Sequence, residues 1–325
     1  PSRRCCCRND RRRSRCEHRR SCCGCSWEKL VQARARTGSA GSGFIGTNLV
    51  EYYSTRCTVL APPHGELELL DEDAVRNYLL KHAIDVIIHS STLPGHRNAK
   101  DLRHLFYKNV RMFFNLVRNA DRFRKMIFLS SGAVYDMRHY LPKMKEEYFD
   151  SHVPEDEHGF SKYVCAKYAG PVDNIVELRL FGVFGKYEDY AIRFISNAIC
   201  KTLFDLPITI RQNRRFDYIY IDDLGPVIDH FLENVGKHKC YNVTPDAAIE
   251  LGTLAEKVRS VSGKDLRILT AQPGMGLEYS GDNHRLREEI PRLRFTDIDD
   301  AIRRLHDWYS AHRHTINREF LLFDK

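Results

Sequence analysis

Hydrophobic positions along this chain fall into two alternating kinds of segment. Cys57-Thr58-Val59-Leu60-Ala61, Asp85-Val86-Ile87-Ile88-His89, Lys125-Met126-Ile127-Phe128-Leu129 and the run 174–181 are short and apolar almost throughout. Such runs predict strands covered on both faces. Between them the apolar residues recur at helical spacing: Val75, Tyr78 and Leu79 within 73–82, then Leu105, Val110, Phe113, Phe114 and Val117 within 102–122, then a helix ending near Ala169. Strands that alternate with helices predict an α/β fold with a doubly wound parallel sheet. From Tyr187 onward the alternation weakens. Helices are expected over 192–203, 224–233 and 251–262, with strand-like pieces at 207–210, 216–221 and 241–243. Thr296-Asp297-Ile298-Asp299 reads as a capping-box start for a helix that carries Ile302, Leu305 and Trp308. The expected division is a nucleotide-binding domain over 37–185, to which 216–245 return, and a smaller C-terminal α/β part from 186–215 and 246–325.

Charge changes the picture at one end only. The 325 residues carry a net +8, but residues 1–36 hold eleven Arg and one Lys against three acids, a net of +9, so the remainder sums to −1. The same head holds seven of the eleven cysteines; the other four are scattered, as expected of buried thiols in a reducing, cytoplasmic setting. The head's cysteines do not form paired C-x2-C sets, so no metal site is expected, and its arginines lack the interleaved aromatics of a nucleic-acid arm. It reads as a disordered or non-native terminus. No apolar run approaches the ~20 residues of a membrane span, and no apolar core succeeds the initial positive charges as in a signal peptide.

Chemistry enters at Gly41-Ser42-Gly43-Phe44-Ile45-Gly46, which runs straight into an amphipathic segment. Glycines at this spacing let pyrophosphate oxygens approach the N–H groups at a helix N-terminus, where the dipole favours an anion. A doubly wound fold also wants an apolar strand just before this turn. Gln32-Ala33-Arg34-Ala35-Arg36 stands there, and its arginines would be unpaired charge in a core.

Five further signatures come in order after the turn: Ser130-Ser131-Gly132-Ala133-Val134-Tyr135, Gly159-Phe160-Ser161-Lys162, Leu178-Arg179-Leu180-Phe181-Gly182-Val183-Phe184-Gly185, Tyr218-Ile219-Tyr220-Ile221-Asp222-Asp223-Leu224, and Tyr241-Asn242-Val243. The run Glu66–Asp71 precedes them. With the glycine turn they make the chain resemble an extended short-chain dehydrogenase/reductase of the NAD-dependent epimerase/dehydratase family, on its GDP-fucose synthase-like side. The resemblance implies a Rossmann-type sheet, an NAD(P) cofactor, a nucleoside-diphosphate sugar substrate and a homodimer. It also implies hydride transfer at a sugar carbon, as a nucleotide-sugar epimerase or a 4-keto reductase. In the family a Ser hydrogen-bonds the reacting sugar oxygen, and a Tyr-x-x-x-Lys pair supplies the acid/base and holds the nicotinamide ribose. Ser131 and Lys162 match the Ser and the Lys, whereas the Tyr position is His158.

That departure leaves two arrangements open. His158 itself passes the proton, since imidazole titrates near neutrality; or Tyr163, with Lys167, forms a second Tyr-x-x-x-Lys pair. Five residues rotate a helix by about 140°, so both pairs cannot face one cofactor. A non-catalytic NAD(P)- or sugar-nucleotide-binding protein is the rival from another class. By the same resemblance Gly41, Gly43, Phe44, Ile45 and Gly46 would hold the cofactor's pyrophosphate, with the family's first glycine replaced by Ala40. His64 would stand by a ribose 2′-phosphate and so favours NADP. Glu68 and Leu69 would flank the adenine, Ser90 and Ser91 would line the pocket, and Asn109 would brace the backbone beside it. Arg214 or Arg215 would contact the substrate's phosphates.

Overall fold

The structure, a computed structural model, describes residues 29–33, 43–93 and 104–322. In chain order the first half runs β1 (Lys29–Ala33), α1 (Phe44–Ser54), β2 (Thr58–Leu60), α2 (Glu72–His82), β3 (Val86–His89), α3 (Leu105–Val117), β4 (Lys125–Ser131), α4 (Glu157–Ala169) and β5 (Ile175–Leu180). The second half continues with β6 (Gly182–Phe184), α5 (Phe194–Leu203), β7 (Ile208–Asn213), β8 (Arg215–Phe216), β9 (Tyr218–Tyr220), α6 (Leu224–Glu233) and β10 (Cys240–Val243). It ends with β11 (Ile249–Glu250), α7 (Leu251–Ser262), β12 (Ile268–Met275), α8 (His284–Glu289) and α9 (Ile298–Ala311).

Six strands form a sheet in the order β10-β5-β4-β3-β1-β2, and every pairing is parallel. The strand order reverses at β1, between β2 and β3. Ligands of doubly wound sheets bind at the carboxyl ends of the strands flanking such a reversal. Successive residues of β3 serve opposite layers: Val86 and Ile88 pack with Leu49, Leu224 and Ile228, and Ile87 packs with Val75, Phe113, Leu116 and Cys165. A strand used on both faces has no polar side, which is why its sequence reads as an unbroken apolar run. Helix α2 is set by its ends. Asp71 accepts the Ala74 N–H at 3.0 Å, acids stand in the first turn, and Lys81 and His82 stand in the last.

The first strand departs from expectation. It comprises Lys29–Ala33, three residues earlier than Gln32–Arg36, so that Leu30 and Val31 register with Val86 and Ile87 of β3. The sheet therefore takes in part of the basic head; the rest of that head (1–28), together with 34–42 and hence Ala40 and Gly41, lies outside the described residues. A second departure is β12, which pairs in parallel with β7. Most of β12 is exposed, so it carries no hydrophobic period for the sequence to reveal. The start of α9 also shifts: Asp297 is the cap, accepting from Asp299 and Asp300, while Thr296 donates its backbone N–H and its hydroxyl to Asp223. Helices α5 and α7 pack against β7, and α9 packs against both of these helices and β9.

One buried carboxyl makes this part sensitive to pH. Glu188 accepts the Ser196 hydroxyl at 2.6 Å, and burial, opposed by Arg193 and Ser196, pushes it up to about 7. A raised carboxyl contributes stability below its unfolded value, and that contribution is lost as pH rises through the folded value. Asp189 adds like charge. Between about pH 4.5 and pH 7 the chain is expected to lose roughly 3 kcal/mol of stability from this residue. Urea unfolding of Glu188→Gln, which keeps the Ser196 contact, should lack that slope; an unchanged slope would move the effect elsewhere.

Candidate functional site

Three elements meet at the carboxyl end of the sheet. The first is the N-terminus of α1. Its cap residue Gly43 offers no side chain, the first turn has no acid, and a Cβ built at Gly43 would meet nothing within 4 Å. Thr47 N–H bonds the Gly43 carbonyl at 3.0 Å. The N–H groups of Phe44, Ile45 and Gly46 precede that first intrahelical bond and, among the described residues, have no side-chain cap, an arrangement that favours an anion.

The second element is the end of β3 with the stretch from Ser90 to Leu93. His89 is buried, stacked on Phe128 with ring centres 5.6 Å apart. Burial, reinforced by the charge of Lys162, holds its imidazole down at about 3, so it is neutral at any ordinary pH. Ser91 is buried as well. Asn109 clasps this stretch, accepting the Leu93 N–H at 2.7 Å and donating to the Leu93 carbonyl at 3.1 Å.

The third is the junction of β4 with α4. Ser131 caps a single turn over 132–134, its hydroxyl oxygen accepting the Ala133 N–H at 3.1 Å. Asp156 caps α4 by accepting the Gly159 N–H at 2.8 Å. A Cβ on Gly159 would stand 2.8 Å from the Ala133 carbonyl, so only glycine lets the first turn of α4 lie this close to the Ser131 turn. Half-buried His158 and buried Lys162 are carried on that helix. The Lys162 amine lies 5.5 Å from the Phe128 ring centre. Burial lowers its pKa from the usual lysine value, partly offset by Cys165 and Glu177. Among the described residues it makes no hydrogen bond or ion pair.

This end of the sheet also concentrates unmet polar atoms. Among the described residues, His89 Nδ1, Ser91 Oγ and Ser130 Oγ are buried without a hydrogen-bond partner. Buried polar groups are almost always satisfied. Three orphans beside an uncapped helix and a buried amine suit a large polar ligand such as a dinucleotide.

Other candidate residues are placed differently. Tyr163 donates its hydroxyl to Asp150, and Lys167 bonds the other oxygen of the same carboxylate, on an exposed flank. The second Tyr-x-x-x-Lys pair is thus closed on Asp150 rather than turned with Lys162 toward His89 and Phe128. His64 pairs with Glu68, which also accepts the Leu70 N–H at 2.9 Å. Leu69 is core, its carbonyl held by Asn115 at 2.8 Å. Arg215 lies 3.6 Å from Glu250. Arg214 lines a cavity of about 440 Å³ together with Asn197, Arg211, Phe216 and Tyr218. A hollow of about 550 Å³ beside α2 is rimmed by Glu68, Asp71, Glu72, Asp73 and Arg111; four carboxylates against one guanidinium disfavour phosphate there. Tyr279, which sequence reasoning missed, reaches the Ser131 turn: a Cβ on Gly132 would come within 2.5 Å of its hydroxyl.

Comparison with known proteins gives a family and a fold. The model of the NAD dependent epimerase/dehydratase family matches residues 38–244. A GDP-L-fucose synthase of Azorhizobium caulinodans is 29% identical over 102 residues, 30% of this chain and 33% of that protein. A dTDP-4-dehydro-6-deoxyglucose reductase of Escherichia coli is 28% identical over 193 residues, 55% of this chain and 59% of that one. The chain thus spans about a third and three-fifths of these two curated relatives. Among solved structures, a GDP-mannoheptose C4 reductase from Campylobacter jejuni with NADP bound superposes with a TM-score of 0.74 at 18% identity, over 87% of this chain and 98% of that one. A UDP-glucose 4-epimerase from Thermotoga maritima gives 0.72 at 15%, over 88% and 99%. At such identities the likeness is one of fold.

Proposed function

We propose that the chain, which belongs to the NAD dependent epimerase/dehydratase family, transfers a hydride at a carbon of a nucleoside-diphosphate sugar, as a 4-keto reductase or an epimerase. The observation that supports this best is the meeting of the Ser131 turn with the α4 helix of His158 and Lys162, beside three orphaned polar atoms and the uncapped start of α1. Gly43, Phe44, Ile45 and Gly46 would receive the pyrophosphate, and His64, Glu68 and Leu69 the adenosine. Ser90 and Ser91 would line the path toward Lys162, which would bond the ribose hydroxyls. A bound nicotinamide would supply or accept the hydride. Ser131 would donate to the sugar oxygen, and His158 would carry the proton to or from it. Arg214 and Arg215 would meet the diphosphate at the cavity of about 440 Å³. Reduction is favoured over epimerisation by the reductase names of the Escherichia and Campylobacter proteins. NADP is favoured because the latter holds it and because His64 would trade Glu68 for a 2′-phosphate.

The test is a fluorescence titration of NADPH and NADH, then an assay with dTDP-4-dehydro-6-deoxyglucose and with GDP- and UDP-linked sugars. NADPH should bind saturably and be oxidised only when a keto sugar is present. Interconversion of sugars without net oxidation would make the chain an epimerase. Binding without either would make it the catalytically impaired binder that histidine in the tyrosine's place allows. No binding by a folded sample would overturn the proposal. We place a homodimer seam on α3 and α4, where Tyr107, Phe160 and Tyr168 are exposed; light scattering of the same sample should read a dimer, and a monomer would refute the seam.

A further inference from the structure

We infer that Phe128 is a positioning residue for this reaction: the face of its ring holds the Lys162 ammonium while leaving the amine's N–H donors free for the cofactor's ribose. The inference rests on the role proposed above for Lys162. Three observations carry it.

The first is what faces the lysine. Lys162 is 6% exposed, and among the described residues no carboxylate, carbonyl or hydroxyl bonds its amine. The amine lies instead over the ring of Phe128, 5.5 Å from its centre, within the reach of a cation–π attraction. A buried ammonium is costly unless something answers its charge. The electron-rich face of that ring is what the geometry supplies.

The second is fixity. Phe128 is buried in β4, stacked on His89 with ring centres 5.6 Å apart and 4.8 Å from the Phe113 ring centre. Its strand lies between β3 and β5, with His89 and Glu177 in register on either side. The helix that carries Lys162 is anchored at the end of the same strand, where Gly159 comes against the Ala133 carbonyl. Sheet and helix thus set ring and amine against each other before any ligand arrives.

The third is the chemistry of the holder. A carboxylate would keep the charge by taking the ammonium's protons in directional bonds, whereas a ring face attracts the charge and leaves the donors unengaged. Glu177, the neighbour of Phe128 on β5, is bonded by Arg179 at 2.9 Å instead. His89 on β3 is neutral. On α4 itself, His158 stands one turn earlier, and the Cys165 thiol is pushed up to about 12, chiefly by burial. Burial lowers the Lys162 pKa, with Cys165 and Glu177 opposing; the Phe128 ring adds to that opposition.

The test depletes the ring's electrons and keeps its volume. In the full chain, a ring-fluorinated phenylalanine at 128 should lower the Lys162 pKa by about one unit. Two readouts follow that pKa: the alkaline midpoint at which NADPH affinity falls, and the pH dependence of Lys162 acetylation by acetic anhydride, read by peptide mass spectrometry. Phe113→Leu is the control. It loosens the same aromatic cluster and should not lower either midpoint. The sign separates the proposed role from a merely structural one, because water admitted to a loosened core would raise a buried lysine toward its ordinary value. An unchanged or raised midpoint with the fluorinated ring would overturn the inference, as would an equal fall in Phe113→Leu. If the folded chain binds no NADPH, the proposed function fails and the acetylation midpoints alone decide Phe128.

Discussion

Exchanging His158 for glutamine is expected to cost about two to three orders of magnitude in kcat while the NADPH dissociation constant stays within about threefold. Position decides this. His158 belongs to the first turn of α4, which Gly159 brings against the Ser131 turn. Its carbonyl accepts the Ser161 hydroxyl at 2.8 Å, so the turn that presents it is held. Glutamine keeps polarity and much of the volume but cannot exchange a proton, whereas imidazole can near neutrality. Tyr163→Phe is the matched control. Its hydroxyl is spent on Asp150 at the exposed flank, and losing it should leave kcat within about twofold. The reverse pattern, a large loss at Tyr163 and none at His158, would transfer the acid/base role to the Tyr163–Lys167 pair. His158→Tyr adds a third arm. A phenol reaches further than an imidazole and carries no positive charge beside Lys162, so this variant should exceed the parent in turnover. A well-folded His158→Tyr protein with no gain would remove the proton-transfer role from this position.

How legible each element is in the sequence depends on how it is buried. Val86-Ile87-Ile88 is readable because both faces of the sheet claim it, and the alternating helices are readable from the stripes that cover it. Helix α2 is readable for a different reason: Asp71, the early acids and the late bases are local signals that need no tertiary context. The first strand is not readable in that way. Proximity to the glycine turn points at Gln32–Arg36, but pairing with Thr58–Leu60 and Val86–His89 draws the sheet onto Lys29–Ala33 instead, and no local pattern carries that choice. Exposed β12 is invisible to a hydrophobic period. At the site, resemblance alone points to Ser131, Lys162 and Asn109, and the geometry adds the backbone partners of Ser131 and Asn109. Tyr279 has no signal at all, because its meaning depends on a residue far away in the chain meeting Gly132.

Replacing Arg179 by methionine should destabilise the chain by about 3–5 kcal/mol, since it leaves a carboxylate buried without its cation. Arg179 and Glu177 are 2% and 3% exposed and lie 2.9 Å apart in the interior strand β5. The guanidinium also donates to the Tyr135 hydroxyl at 2.9 Å, and Tyr135 in turn donates to Asn242 of β10 at 2.9 Å. Asn242 continues the chain of bonds, donating its N–H to Glu146 at 2.7 Å and its amide to the Met144 carbonyl at 2.8 Å. One arginine thus ties together β5, β10 and the segment beyond the Ser131 turn. The pair itself need not stabilise: two charges withdrawn from water lose solvation that their attraction barely repays. That asymmetry gives the measurement its force. By urea unfolding, Arg179→Met should be far worse than the double variant with Glu177→Leu, which removes the stranded charge. A loss below about 1 kcal/mol in the single variant would mean water reaches Glu177 and the network carries little. The consequence extends to the site, because Glu177 also raises the pKa of Lys162 against its burial. With Arg179 gone, an uncompensated Glu177 would bind the Lys162 proton more strongly. Any surviving activity should then keep its protonated lysine to higher pH than the parent, even as the fold that presents that lysine weakens.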